Sequence, residues 1–265
     1  MKIISLNTFG GTMFNELAAF VEVQRADADV FCFQEIFTTD QPNFVTTKIG
    51  KRANLMDELK QLLPDFRALF AVAQDGIHGS EEVCPGTQHG LAIFVKKNLG
   101  ITRSGDFFIN NSRNSYVPPD YATFPYNAMY IDLSINNQYL TICCLHGASQ
   151  PGDKLDTPNR ITQSQTIIDF LASKSGEKIV MGDFNLLLET ESIRMFESAG
   201  YRNLISEFKI STTRGTLHKQ LHPEYAGRYQ EYADYTFVTP GLKVTSFEVP
   251  DVPVSDHLPM ILDIK

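Results

Sequence analysis

Six places along the chain carry an isolated polar residue of a kind used in catalysis: Asn7, Glu35, His146, Asp183 with Asn185, Asp234, and Ser255-Asp256-His257. A carboxylate accepts a proton or holds a cation, an amide donates to an oxyanion, and an imidazole titrates near neutral pH. Asp183 and Asn185 stand two apart in Ile179–Asn185, IVMGDFN, so on a strand they would project from one face. Gly, Asp and Asn are also ordinary turn residues, and a strand ending in a turn accounts for this segment equally well. The other positions shift the balance. Most of them end an apolar run, whereas Asp234 begins one, DYTFV. Buried without partners, such groups would cost heavily in desolvation. Convergence on one rim, around a shared cation, is the economical arrangement. Asn7 and His257 lie near opposite ends of the chain, which predicts a single domain over residues 1–265.

The elements that would position these residues follow from periodicity. Strands are expected at Lys2–Thr8, Val30–Phe37, Phe66–Val72, Gly90–Lys96, Ala128–Ile135, Gln138–His146, Asp234–Val238, Lys243–Val249 and Pro259–Ile264. Asn136-Asn137 would make a tight hairpin turn. Helices are expected at Met13–Arg25, Arg52–Leu63, Arg160–Leu171 and Thr190–Ser198, with Pro64 and Gly200 as stops. Two stretches, Asn110–Asn127 and Ser211–Glu231, show no periodicity, and loops of that length are commonly functional or mobile.

The composition is that of a soluble globular protein. With 23 basic and 31 acidic residues the formal net charge is -8, which argues against a broad basic surface that grips duplex nucleic acid. No apolar run approaches the roughly 20 residues that span a bilayer, and the N-terminus reads as a strand and not as a signal peptide. Cys32, Cys84, Cys143 and Cys144 lack metal-ligand spacing, so reduced thiols and a cytoplasmic location are expected.

LNTFGG, FQEIF, LHG, MGDFN, ADYTFV and SDHLP together resemble, in order, the motif set of the endonuclease/exonuclease/phosphatase (DNase I-like) superfamily. That group includes DNase I-like nucleases, abasic-site endonucleases, deadenylases, inositol-phosphate 5-phosphatases and sphingomyelinases. The resemblance implies an α/β fold: a four-layered α/β sandwich, two mixed β-sheets packed face to face with helices outside. It implies Mg2+, with Mn2+ as a substitute, held by Glu35, Asn7 and Asp256. Asp183 would orient or deprotonate the attacking water, and Asn185 would hold a phosphate oxygen. His257, oriented by Asp234, would stabilise developing charge, and His146 would contact phosphate or leaving group. The implied partner is a phosphoester substrate, nucleic acid among the candidates, with no membrane and a monomeric protein.

Phe9 stands where several relatives carry a second carboxylate, which favours one metal ion over two. The carboxylate partner expected for His146 is not evident; Glu81, Glu82, Gln88 and His89 are the candidates. Arg160 and Arg214 are candidate phosphate ligands through a bidentate fork, although an exposed helix-start Arg would look the same. His218 and His222 are spaced as zinc ligands would be on a helix, and His78, Cys84 and His89 form a second weak set. Tyr116, Tyr121, Tyr126, Tyr225, Tyr229 and Tyr232, beside Arg113 and Arg228, could stack on bases or pack the loops onto the sandwich.

Overall fold

The computed structural model describes residues 1–41, 44–46, 50–78, 81–82, 86–135, 138–221 and 230–265, with the side chains of 77, 78, 81 and 82 excepted. The first half of the chain runs β1 (Lys2–Asn7), α1 (Phe14–Gln24), β2 (Val30–Thr39), α2 (Leu55–Leu62), β3 (Phe66–Asp75), β4 (Ile77–His78), β5 (Glu81–Glu82), β6 (Thr87–Lys96) and β7 (Ile101–Asn110). Next come β8 (Tyr126–Ile135), β9 (Gln138–His146), α3 (Pro158–Ala172), β10 (Glu177–Asp183) and α4 (Glu191–Ser198). The chain closes with β11 (Arg202–Asn203), α5 (Leu204–Glu207), α6 (Thr216–Leu221), β12 (Asp234–Val238), β13 (Val244–Glu248) and β14 (Met260–Ile264).

Two six-stranded sheets result, in the orders β13-β14-β1-β2-β6-β3 and β11-β12-β10-β9-β8-β7. Each is mixed: β1 and β2 run parallel in the first, β9 and β10 in the second, and the remaining pairs are antiparallel. Side-chain alternation along a strand decides what enters the gap between the sheets. Ile3, Cys32 and Ile93 of one sheet join Ile131, Ile142, Ile179 and Met181 of the other in one buried cluster. On the far face of the first sheet, Ile4, Leu6, Phe31 and Phe33 receive Leu17 and Val21 of α1 and Leu55 and Leu59 of α2. Full burial of each such side chain contributes about 1.5–3 kcal/mol. On the far face of the second sheet, Phe196 of α4 stacks on Phe237 at 4.7 Å, and Ile167 and Leu171 of α3 are buried. The layering is that of the expected four-layered sandwich.

Most of the expected elements form. Gly200, at φ +90, ends α4 as a C′ glycine should: its N–H donates to Glu197 O and that of Tyr201 to Phe196 O. Three expectations need correction or fall outside the description. Strand β7 has no counterpart in the sequence reading, because it is an edge strand whose residues 102–104 and Asp106 are solvent-exposed. Without an inward apolar series there is no period-2 signal to read. The stretch Ser211–Glu231 contains α6, and its residues 222–229 lie outside the described residues, as does the Asn136-Asn137 turn. Among the described residues no helix is long and apolar enough to cross a membrane.

Candidate active site

The strand alternation that fills the core also builds the site. The inward series Ile3-Ser5-Asn7, Ile142-Cys144-His146 and Ile179-Met181-Asp183 each end in a polar residue at the C-terminal end of a parallel strand. Asp183 pairs in register with His146 on one side and with Asp234 on the other, so three polar residues line up across β9, β10 and β12. Gly182, at φ +140, makes this possible, since a Cβ there would meet Leu145 O at 2.2 Å. Ser255 ties the last loop to the first strand by donating from Oγ to Asn7 O at 2.7 Å.

Asn7 bridges the sheets. Its Oδ1 accepts from Phe9 N at 3.0 Å, which turns its Nδ2 toward Glu35 Oε1 at 3.2 Å and Asp183 Oδ2 at 3.0 Å. Glu35 would face outward under strict alternation after Gln34. It takes φ +57 at an irregularity in the β2–β6 pairing, and this bulge turns its carboxylate to the rim.

Asp183 Oδ2 is the meeting point of the site, 3.6 Å from His146 Nε2 and 3.6 Å from His257 Nε2. Burial alone would raise the Asp183 carboxyl; His257, His146, Arg214 and Lys154 outweigh it, so its pKa falls below the ordinary value and the group is an anion at neutral pH. His257 Nδ1 is paired with Asp234 Oδ2 at 2.8 Å. Burial and Arg214 favour the neutral imidazole, but Asp234, Asp256 and Asp183 prevail and raise its pKa. Arg214 lies with Nη1 against His257 Nε2 and 3.8 Å from Asp256 Oδ2, while its Nε has no hydrogen-bond partner among the described residues. Asp256 also meets His218 Nδ1 at 3.8 Å; burial would raise its carboxyl, but His257, His218 and Arg214 hold it well below the usual range.

The donor chemistry is that of a hard cation. Glu35 and Asp256 are carboxylates, with Glu35 close enough to raise the Asp256 carboxyl electrostatically, and oxygen donors of this kind suit Mg2+. Asp183, Asp234 and His257 form a second set, with one donor atom each lying within 4.8 Å of the others. The residues thus fit a divalent ion. Two features run against expectation. The Asn7 amide presents Nδ2, not Oδ1, to Glu35, so in this orientation Asn7 positions the carboxylate and does not itself offer a ligand oxygen. Lys51, which the sequence did not single out, places Nζ 3.3 Å from Glu35 Oε2 and 3.5 Å from the centre of the Phe9 ring.

Asn185 reaches the site by a different route from the one its spacing suggests. Strand β10 ends at Asp183, and Asn185 sits in the left-handed region at φ +56, its N–H donating to Asp183 Oδ1 at 2.8 Å. The pair is brought together by an Asx turn, not by the pleat. Arg160 is the clear departure. It is 1% exposed, and its guanidinium donates to the carbonyls of Ala148, Pro151 and Leu155, so it organises the loop after β9 in place of forking onto a phosphate. That loop delivers Lys154, unremarked in the sequence, whose buried ammonium donates to Asn185 Oδ1 at 2.6 Å.

Among the candidate partners of His146, Gln88 donates to Asp75 instead, and the side chains of Glu81 and Glu82 lie outside the described residues. His89 shares a small cavity with His146, Phe124 and Tyr126 and packs on Phe37 at 4.9 Å. Tyr116, Tyr121, Phe124 and Tyr126 pack on one another with centroids 5.1–5.6 Å apart, and Arg113 forks onto Asp75. In that loop the rings pack the sandwich. Tyr225, Arg228, Tyr229, His222 and Cys84, and the side chain of His78, lie outside the described residues. Cys32, Cys143 and Cys144 are buried free thiols.

The family described as Endonuclease/Exonuclease/phosphatase matches residues 4–257. No curated protein matches the sequence. Among solved structures, an endonuclease/exonuclease/phosphatase family protein from Leptotrichia buccalis superposes with a TM-score of 0.74 at 17% identity, covering 100% of this chain and 99% of that one. A mannosyl-6-phosphatase from Bacteroides thetaiotaomicron gives 0.69 at 16% identity, covering 100% and 99%. The human Nocturnin catalytic domain with bound sulfate anion gives 0.67 at 15% identity, covering 100% and 93%. At these identities the likeness is one of fold.

Proposed function

This chain belongs to the Endonuclease/Exonuclease/phosphatase family, and from that premise we propose that it is a metal-dependent phosphoesterase that cleaves phosphodiester bonds in nucleic acid or a nucleotide-like ester. The observation that carries the reading is the convergence of Asn7, His146 and His257 on one oxygen of Asp183, from three strands and a loop widely separated in sequence.

Phosphodiesters resist hydrolysis because their negative charge repels nucleophiles. Glu35 and Asp256 would hold Mg2+ or Mn2+, which when bound would offset that charge. Asp183, kept anionic by the cations around it, orients a water and accepts its proton. Asn7 fixes the Asp183 oxygen that receives it. Asn185 Nδ2 and the Arg214 guanidinium hold phosphoryl oxygens. His257, with Nδ1 committed to Asp234, holds Nε2 beside Arg214 Nη1 and Asp183 Oδ2, where on substrate binding it would turn to the charge developing on phosphorus. His146, on the other side of Asp183, faces the leaving group.

A second reading, a phosphatase or phospholipase-like hydrolase of small or lipid phosphates, is favoured by the net charge of -8 and by the packing of the Tyr116–Tyr126 rings, which withdraws them from base stacking. A panel of single- and double-stranded oligonucleotides, a nucleotide diester, a phospholipid in mixed micelles, inositol phosphates and sugar phosphates, run with Mg2+ and with chelator, separates the two. Turnover of nucleic-acid and nucleotide diesters alone supports the first, and turnover of the monoesters or the phospholipid alone the second. No metal-dependent turnover of any member would refute both and leave a binding scaffold.

A further inference from the structure

Lys154 lies in a polar loop, yet it is only 8% exposed and its backbone takes φ +59, a conformation that residues other than Gly, Asn and Asp seldom adopt. The loop is pinned in that shape from several sides. Arg160 binds the carbonyls of Ala148, Pro151 and Leu155 around it, Lys154 O accepts from Leu187 N at 3.0 Å, and Gln230 donates to Gly152 O at 2.5 Å. So much anchoring serves to carry one ammonium inward. There it donates to Ser149 O at 2.8 Å and Asn185 Oδ1 at 2.6 Å. An ammonium has three N–H donors, so among the described residues one is left for another acceptor.

We propose, building on the phosphoesterase reading, that Lys154 is a phosphate-binding residue of this site, fixing the Asn185 amide and giving its remaining N–H to a phosphoryl oxygen. The amide geometry carries the point. An oxygen facing an ammonium and a nitrogen facing a carbonyl admit only one flip, and Asn185 Nδ2 donates to Gly147 O at 3.1 Å. One Nδ2 hydrogen is spent there, and the second remains on an amide whose orientation Lys154 fixes. Lys154 and Asn185 thus bring donors from two loops together, near enough to Arg214 to feel its charge, and the Arg214 Nε is unpartnered among the described residues. The ligand chemistry is a phosphoryl group with at least two unesterified oxygens. Burial presses the Lys154 ammonium toward losing its proton, down to about 7, and a bound anion would restore the charge.

The test is calorimetric titration of inorganic phosphate into the chelator-treated full chain, wild type against Lys154→Met, Lys154→Arg and Asn185→Ala, with thermal unfolding as a check on folding. Loss of a charge-assisted hydrogen bond should weaken phosphate about tenfold or more in Lys154→Met. Lys154→Arg should recover part of that loss, which a purely structural role would not predict, and combining Lys154→Met with Asn185→Ala should cost less than the sum of the two. Phosphate bound by Lys154→Met as tightly as by wild type overturns the inference, and so does a wild type that binds no phosphate. Lys154-dependent phosphate binding without turnover of any ester would sink the phosphoesterase reading and leave this one standing. Should Lys154→Met fail to fold, Lys154→Gln, which keeps an N–H donor and loses the charge, takes its place. Phosphate weakened about tenfold in a folded Lys154→Gln supports the inference, and phosphate bound as tightly as by wild type overturns it.

Discussion

Replacing Lys154 by Met should change the way stability depends on pH, by an amount the burial of the ammonium sets. Met keeps the length of the apolar stem and removes the only titrating atom. In the folded protein the Lys154 pKa is pushed down to about 7 from its ordinary 10.5, chiefly by burial and secondly by Arg214, against the pull of Asp183. Between those two values the unfolded chain binds one more proton than the folded one, so wild-type stability rises with pH there; below the lower value both states carry the proton and the contribution is flat. The slope cannot exceed about 1.4 kcal/mol per pH unit, and because the group is half-titrated at the lower end, the rise between about pH 7 and about pH 9 is roughly 2 kcal/mol. The other titrating groups are common to both proteins and cancel in the difference. Met also leaves Ser149 O and Asn185 Oδ1 without their donor, an offset that does not depend on pH. Urea unfolding of both proteins at the two pH values gives the difference directly, provided the transitions are two-state. A stability difference that stays constant from pH 7 to pH 9 would show that the ammonium is solvated in the native state, and would refute the desolvation reasoning.

Asp183→Ala and His257→Ala should each lower metal-dependent turnover by about 100-fold or more while leaving the unfolding transition in place; undiminished kcat in either variant removes that residue from the mechanism. Glu35→Gln should raise the Mg2+ concentration that gives half-maximal activity, and superimposable metal titrations would show that Glu35 is no ligand. Arg160→Met should destabilise the fold by about 3 kcal/mol, because it strips charged donors from the buried carbonyl of Ala148 and the part-buried carbonyls of Pro151 and Leu155, and urea midpoints read this. A raised KM with unchanged stability would instead restore Arg160 as a phosphate ligand.

Much of the site was legible in the order of residues because strand alternation is a local rule. Ile3-Ser5-Asn7 and Ile179-Met181-Asp183 state, with no tertiary information, that Asn7 and Asp183 share the face of the apolar residues before them. The motif order from Asn7 to His257 pointed in addition to the family and thence to the two-sheet sandwich. Edge strand β7 was not legible, because a strand with little to bury leaves no apolar periodicity.

What the sequence determined by itself was which side chains could meet and at which strand ends they stand, since both follow from residue type and a period of two. Tertiary structure alone decided which way they turn and what else joins them. Glu35 faces the rim only because β2 bulges against β6, and Asn7 reaches Asp183 across 176 residues of chain only because two sheets pack face to face. Lys51 and Lys154 carry no mark in a linear reading, because a lysine in a polar loop is ordinarily solvated, and only the closing of the fold around it makes it a buried charge.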